Sequence, residues 1–390
     1  MRLVSGVLAL TILSVLTVGV VPPAQAQTFK SLYSFGNSPD GATPFGAVIK
    51  DKSGNLYGTT SAGGAAGFGT VYKLSKSGKE TVLYSFTGGA DGSLPYTGLV
   101  MDAAGNLYGT TRFGGSSGGG TVFEVNPETQ QETVLHSFSG QPDGAEPFSG
   151  LILDKSGNLY GATFAGGSAN DGTVYKVNIQ TQQEAVLYSF TGDPDGGDPV
   201  YGNLLMDKSG NLYGTTQGGG SFNRGSVWEL SANGTETVLY SFTGGKDGGG
   251  SDGGGADQSL VMDTKGNLYG VTEVGGVGAG VVFKVNIKTK TETVLYTFKA
   301  LKNGEVPTAG LVRDSKGNLY GTTAAGGGRA SFGTVFKLTG TKETVLHRFH
   351  GGDGKNPFRS PLMLDRDGTV YGVTYLGGAH GLGTVFSVKP

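Results

Sequence analysis

The chain has 390 residues, with 29 Lys and Arg against 31 Asp and Glu, a formal net charge of −2, and no cysteine. Acidic and basic residues interleave along its length, which excludes a basic field for nucleic acid or anionic lipid. The missing cysteine excludes disulfides, thiolate nucleophiles, cysteine-based metal sites and a lipoprotein attachment site together.

Residues 1–26 read as an export signal. Arg2 gives a short positive region, Leu3 to Val21 is apolar, and Pro22-Pro23-Ala24-Gln25-Ala26 supplies an A-x-A cleavage site, so the mature chain is expected to start at Gln27. Export by a Sec-type signal predicts a periplasmic or extracellular location. No later stretch reaches the ~18 apolar residues of a membrane span.

From residue 27 to 390 one unit repeats. Its marker, Gly54-Asn55-Leu56-Tyr57-Gly58, returns at 105–109, 157–161, 210–214, 266–270 and 317–321, and as Gly-Thr-Val-Tyr-Gly at 368–372. The steps are 51, 52, 53, 56, 51 and 51 residues. A fixed period of this size marks a supersecondary unit that buries its faces against its neighbours. Glycine, 74 residues, far exceeds the usual ~7%, but it recurs at fixed places beside β-branched segments. That is turn chemistry rather than disorder.

Each unit holds four strand-like runs, here called a to d. In the second unit they are Leu99-Val100-Met101, Asn106 to Thr111, Thr121 to Val125 and Glu132 to Phe138. Run a is apolar at successive positions, which predicts burial on both faces. Run c alternates, which predicts a half-exposed strand. Asp51-Lys52-Ser53-Gly54 joins a to b as a tight turn, with Asp first and Gly at the left-handed place. The b-to-c loops hold a Gly pair, and Asp-Gly-x-x-Pro joins d to a at 40–44, 91–95, 143–147 and 195–199. Glu80 and its equivalents are expected to serve the c-to-d hairpin, and Tyr57 and its equivalents to pack.

The ends are offset. Residues 28–35 match a d run with no a, b or c before it, and the sequence finishes on a c run, Thr384 to Val388. A ring explains this, because the first run completes the last unit and leaves no exposed edge. The sequence therefore predicts an all-β, single seven-bladed β-propeller of four antiparallel strands per blade, closed by the N-terminal strand.

The recurring Asp-Gly-x-x-Pro, Leu-x-x-Asp-x-x-Gly-Asn-Leu-Tyr-Gly-Thr-Thr, Gly-Gly, Gly-Thr-Val-Phe-Lys-Leu and Glu-Thr-Val-Leu-Tyr-Ser-Phe pattern resembles the GloVer tandem repeat of exported bacterial proteins. The resemblance spans essentially the whole mature chain. It implies a bacterial exported protein and brings no catalytic residues.

The repeat supplies its own filter: a residue type present in every blade is framework, whereas a site is needed once. His136 and His347 stand where Tyr33, Tyr84, Tyr188, Tyr240 and Tyr296 stand, so they read as rim substitutions rather than ligands. What varies is the position after Gly-Thr-Thr: Ser61, Arg112, Phe164, Gln217, Glu273, Ala324 and Tyr375. These side chains are expected to ring the face that carries the b-to-c and d-to-a loops. Arg112, Phe164, Gln217, Glu273 and Tyr375 are the ligand-binding candidates, with neutral drift at a loop position as the alternative. Within blade 7, Tyr375, His380, His350 and Arg359 could supply acid, base and charge neutralisation. Asp247, Asp252 and Asp257 lie in a glycine-rich insertion and could hold calcium, and no other cofactor is expected. Two functions stay open. One is a non-catalytic module, read as a monomer, that binds a glycan or a protein at the loop face. The other is a polysaccharide lyase or glycoside hydrolase with one asymmetric site there.

Overall fold

In the computed structural model, residues 27–36, 38–199, 202–248, 258–299 and 303–390 are described; they form seven four-stranded antiparallel sheets and no helix. The leader segment 1–26 lies outside the described residues, as do Asp252 and Asp257. Blade 2 runs Val100–Met101 (a), Leu107–Thr111 (b), Thr121–Asn126 (c) and Gln131–Ser137 (d), and each sheet keeps the order a-b-c-d. In blade 7, strands Met363–Leu364, Val370–Thr374 and Thr384–Lys389 are completed by the N-terminal strand Thr28–Ser34. That strand pairs antiparallel with Thr384–Lys389, from Thr28↔Lys389 to Ser34↔Thr384. Its register shift between Ser31 and Tyr33 matches the one in blade 1's c–d pair between Val71 and Tyr72. The ring is closed.

Burial runs differently from the expectation for strands a and c. Strand a is two half-buried residues in six of the blades; it is the terminal strand of each sheet, paired with strand b alone. Strands b and c are the buried ones: all five residues of Leu107–Thr111 are buried, as are Thr121, Val122, Phe123 and Val125. Adjacent sheets cover both their faces, so alternation in strand c separates two blade interfaces rather than core from water.

The core is accordingly a set of wedges between blades. One wedge joins Tyr57, Val71, Leu83 and Phe86 of blade 1 to Leu99, Leu107, Phe123 and Val125 of blade 2. The phenylalanine ending each strand d meets the aromatic of the next blade's strand c edge-on: Phe86 with Phe123 at 5.1 Å, Phe190 with Trp228 at 5.4 Å, Phe349 with Phe386 at 5.2 Å. Phe35 meets Tyr72 in the same way at 5.1 Å, across the point of closure.

The marker motif has a physical reason at every place. Asp51 Oδ1 accepts the Ser53 and Asn55 amides, and its Oδ2 accepts Asn55 Nδ2 and the Tyr57 hydroxyl. Against the desolvation that burial imposes, these bonds hold the Asp51 carboxyl below its ordinary value. Tyr57 is thus both a packing ring and a donor to the turn. The last threonine of the motif bonds its strand c partner, Thr111 Oγ1 to Thr121 Oγ1 at 2.8 Å.

The rim follows one rule with substitutions. Tyr84 donates to Asp91 Oδ2 at 3.0 Å, and His136 takes the same place against Asp143 at 3.0 Å. Glu80 does not serve the hairpin. Its carboxyl enters the interface with the preceding blade, where burial first and the Asp40 charge second raise it to about 7.

Candidate functional site

On the face carrying the b–c and d–a loops, six of the blades end in a short two-stranded clasp. The residue before the Asp-Gly-x-x-Pro proline adopts positive φ, as at Leu94, Glu146 and Asn356. Its carbonyl accepts the amide of the variable b–c loop residue: the Arg112 amide donates to Leu94 at 3.1 Å, that of Phe164 to Glu146 at 3.0 Å and that of Tyr375 to Asn356 at 3.0 Å. The variable ring predicted from sequence is therefore pinned by backbone. The proline then delivers one further side chain, which is Phe45, Tyr96, Phe148 and Phe358 in four of the blades.

These two rings of side chains build a cavity of about 260 Å³, lined by Phe45, Tyr96, Arg112, Phe148, Asn356, Phe358 and Tyr375. Its aromatic wall runs continuously over four blades, 7, 1, 2 and 3. Phe45 contacts Tyr375 at 6.1 Å, Phe358 at 6.4 Å and Tyr96 at 4.9 Å; Tyr96 lies 5.9 Å from Phe148, and Phe148 5.9 Å from Phe164. Arg112 is fixed over this wall. Its Nε and Nη2 donate to Glu146 Oε2 at 3.0 and 2.9 Å, and its guanidinium carbon sits 4.3 Å from the Phe148 ring centre and 4.5 Å from that of Phe113. A guanidinium held by a carboxylate and stacked on rings is pre-oriented, so little side-chain entropy is lost when it donates to a ligand.

The sequence-derived candidates separate. Arg112 and Tyr375 line the cavity, and Phe164 extends its wall through Phe148. Glu273 instead forms an ion pair with Arg359, Nη2 to Oε1 at 3.2 Å, with both side chains nearly buried; it ties blade 5 to blade 7. Burial raises the Glu273 carboxyl, and the Arg359 guanidinium opposes that rise. The amide of Gln217 bonds the Asp198 carbonyl on the far side of the ring. Asp198 itself is pushed up by burial and then by Asp171.

Of the blade 7 group, Tyr375 is at the cavity and Arg359 is committed to Glu273. His350 is three-quarters exposed on the rim beside Asp353, and His380 lies at an exposed b–c loop beside Gly36. The four do not share one set of contacts. Asp247 is the rim aspartate of its blade: it accepts the Tyr240 hydroxyl, the Thr243 hydroxyl and the Thr243 amide.

Sequence reasoning missed Phe45, Tyr96, Phe148 and Phe358. The signal was present, since an aromatic follows the proline in four blades while Thr308 follows it in blade 6. The position after the proline was not weighed, because variation between blades pointed to the b–c loop rather than to the d–a loop.

The opposite face opens into two wider hollows, of about 1250 and 980 Å³. Their lining is largely the a–b turns, including Asp51 to Gly54 and Asp154 to Gly157, which every blade shares in outline. A framework repeated around the ring offers no single distinguished site there.

The Gloeobacter/Verrucomicrobia repeat matches the chain at residues 18–156, 101–328 and 156–386. No curated protein matches it in sequence. Among solved structures, an oligogalacturonate lyase in complex with manganese is 13% identical with a TM-score of 0.56, covering 93% of this chain and 96% of that one. An oligogalacturonate lyase from Vibrio parahaemolyticus is 12% identical with a TM-score of 0.54, covering 93% of this chain and 97% of that one. At such identities the likeness is one of fold.

Proposed function

This chain belongs to the Gloeobacter/Verrucomicrobia repeat family, and on that footing we propose that it is an exported propeller that binds a glycan at the aromatic cavity of its loop face. The observation that carries this reading is the wall of Phe45, Tyr96, Phe148, Phe358 and Tyr375 with Arg112 locked above it. Aromatic faces pack against the C–H faces of sugar rings, while Arg112, Asn356 and the tyrosine hydroxyls offer polar partners for hydroxyl or carboxylate groups. At about 260 Å³ the cavity falls just under the ~300–1,000 Å³ of drug-sized pockets, so one ring of a glycan fits.

Binding is favoured over lyase or hydrolase chemistry because proton transfer needs a titrating group at the reacting atoms. Among the described residues the cavity lining holds no carboxylate or imidazole, only the hydroxyls of Tyr96 and Tyr375 as titrating groups, and His350 and His380 stand elsewhere, so no complementary acid–base pair meets there. A protein partner is disfavoured by the size of the recess, which admits a ring rather than an extended surface.

Titration calorimetry against neutral and uronic-acid oligosaccharides tests the assignment. Tyr96→Ala and Tyr375→Ala are each expected to weaken binding about tenfold, the ~1.4 kcal/mol scale of a lost stacking contact. Lys52→Ala, on the opposite face, keeps full affinity. Failure of the wild type to bind any oligosaccharide, or undiminished affinity in both tyrosine variants, overturns the reading. Release of unsaturated or reducing products moves the protein to the lyase or hydrolase class.

A further inference from the structure

At the seam where the ring closes, one blade interface departs from all the others. Elsewhere on the rim a Tyr, or His136, meets the loop Asp or Asn, and a Glu from the next blade's strand d faces the same group. Between blades 6 and 7 three of these places change together. His347 replaces the Tyr, His350 stands where blades 1, 3 and 4 have Thr87, Thr191 and Thr243, and Phe29 stands where they have Glu. The loop is also shorter by one residue: the His350 amide bonds Asp353 three residues on, where the Thr87 amide reaches Asp91 four residues on.

The result is a tripod. His347 Nε2 lies 2.9 Å from Asp353 Oδ2, His350 Nδ1 lies 3.5 Å from the same oxygen, and all three atoms fall within 4.8 Å of one another. Bonds of about 2.0–2.1 Å to a metal place donors roughly 2.9 Å apart at octahedral edges and 3.4 Å apart at tetrahedral ones. The two distances that Asp353 makes lie close to this range, the shorter one being also that of the His347–Asp353 hydrogen bond. Two imidazoles and a carboxylate with an open side are a donor set for borderline divalent metals. Exposed His350 leaves an entry path, and replacement of Glu by Phe29 removes the carboxylate that faces the Asp at the other interfaces.

We propose that His347 Nε2, His350 Nδ1 and Asp353 Oδ2 form a binding site for a divalent transition metal of the zinc class on the outer rim. The site is placed to act on ring closure. The His347 ring stacks on Phe29 of the N-terminal strand, with centroids 3.6 Å apart and planes 9° from parallel. Fixing that imidazole fixes the surface on which the closing strand docks, so the metal ties blade 6 to the first strand of the chain. Spacing rules tuned to helices overlook the site, because His-x-x-His-x-x-Asp spans a strand end and a turn.

The test uses tag-free protein stripped with chelator and titrated with zinc chloride, read by calorimetry and by thermal melting. The wild type is expected to take up one equivalent of zinc and to gain roughly 2 °C or more in Tm at saturation. His350→Thr restores the residue of three other blades, whose hydroxyl bonds the same Asp. It should match the wild-type Tm in chelator yet bind zinc about 100-fold more weakly. His347→Tyr restores the rim tyrosine and should behave alike. Absence of zinc uptake by the wild type in the micromolar range, or wild-type affinity in both variants, overturns the proposal.

Discussion

Gly109 has no room for a methyl group, although its backbone is ordinary for a strand. A Cβ there would lie 2.6 Å from Phe123 Cζ and 2.9 Å from Leu99 Cδ2, because the strand c aromatic lies flat across the strand b backbone. The same crossing occurs at Gly214 under Trp228 and at Gly372 under Phe386. Invariance of this glycine in the marker motif is visible in the sequence, but its cause is a cross-strand contact and cannot be read from one strand. Gly109→Ala is expected to cost about 1–3 kcal/mol through overpacking, seen as a lower urea midpoint. Gly352→Ala, where a Cβ meets nothing within 4 Å, should stay within about 0.5 kcal/mol of the wild type. Residue by residue, the candidate site was half legible. Arg112 and Tyr375 stood out because they differ between blades, whereas Tyr96 and Phe148 lie in the d–a loops, at a position that varies less and was not weighed. Glu273 also stood out, but its partner Arg359 lies 86 residues away in the d–a connection of blade 7, a distance no local spacing reveals.

At the level of strands, the sequence fold reading rested on an offset: a d strand at the front and a c strand at the back. That offset is legible because strand pairing must leave no open edge. Burial within a blade was less legible, since the edge strand of a sheet and a strand between two sheets can carry equally apolar runs. The closed ring makes a comparative demand. Phe35, in the segment completing blade 7, and Phe190, between blades 3 and 4, are both fully buried. Each meets a strand c aromatic edge-on, at 5.1 and 5.4 Å. Phe35→Ala and Phe190→Ala should therefore cost similar amounts, about 3–5 kcal/mol each. A chemical melt in which Phe35→Ala costs well under half of Phe190→Ala would mean that the closing strand docks more loosely than the strands it imitates.

Across the whole molecule, sevenfold repetition multiplies one electrostatic feature into a measurable one. Glu80, Glu132, Glu184, Glu236 and Glu292 each sit in a blade interface, where burial and then a neighbouring rim Asp push the carboxyl up to about 7. At the sixth interface Asn303 replaces the Asp and donates to Glu343 at 2.9 Å, and at the seventh Phe29 replaces the Glu. A folded-state value above the unfolded one means that the native state holds the extra protons between pH ~4.5 and ~7. Stability from these groups is complete below the unfolded value and is lost as pH rises through about 7. The turn aspartates act oppositely. Held low by Asn and Tyr against desolvation, to about 2 at Asp263, they give stability that is present above the unfolded value and lost as pH falls through the folded one. His347, lowered by burial, also favours higher pH, but it is one group against these five and against Glu124, Glu273, Glu343 and Asp198, whose carboxyls burial also raises. Thermal melts at constant ionic strength should thus peak near pH 4–5, fall steadily to about pH 8, and level off beyond it. Because the five glutamates act in separate interfaces, their effects should add. Glu132→Gln removes one titrating group while keeping the side chain's shape, so the fall between pH 5 and pH 8 should shrink by at most about one-fifth. A flat profile over that interval, or a slope unchanged by the substitution, would place these carboxyls in water rather than between the blades.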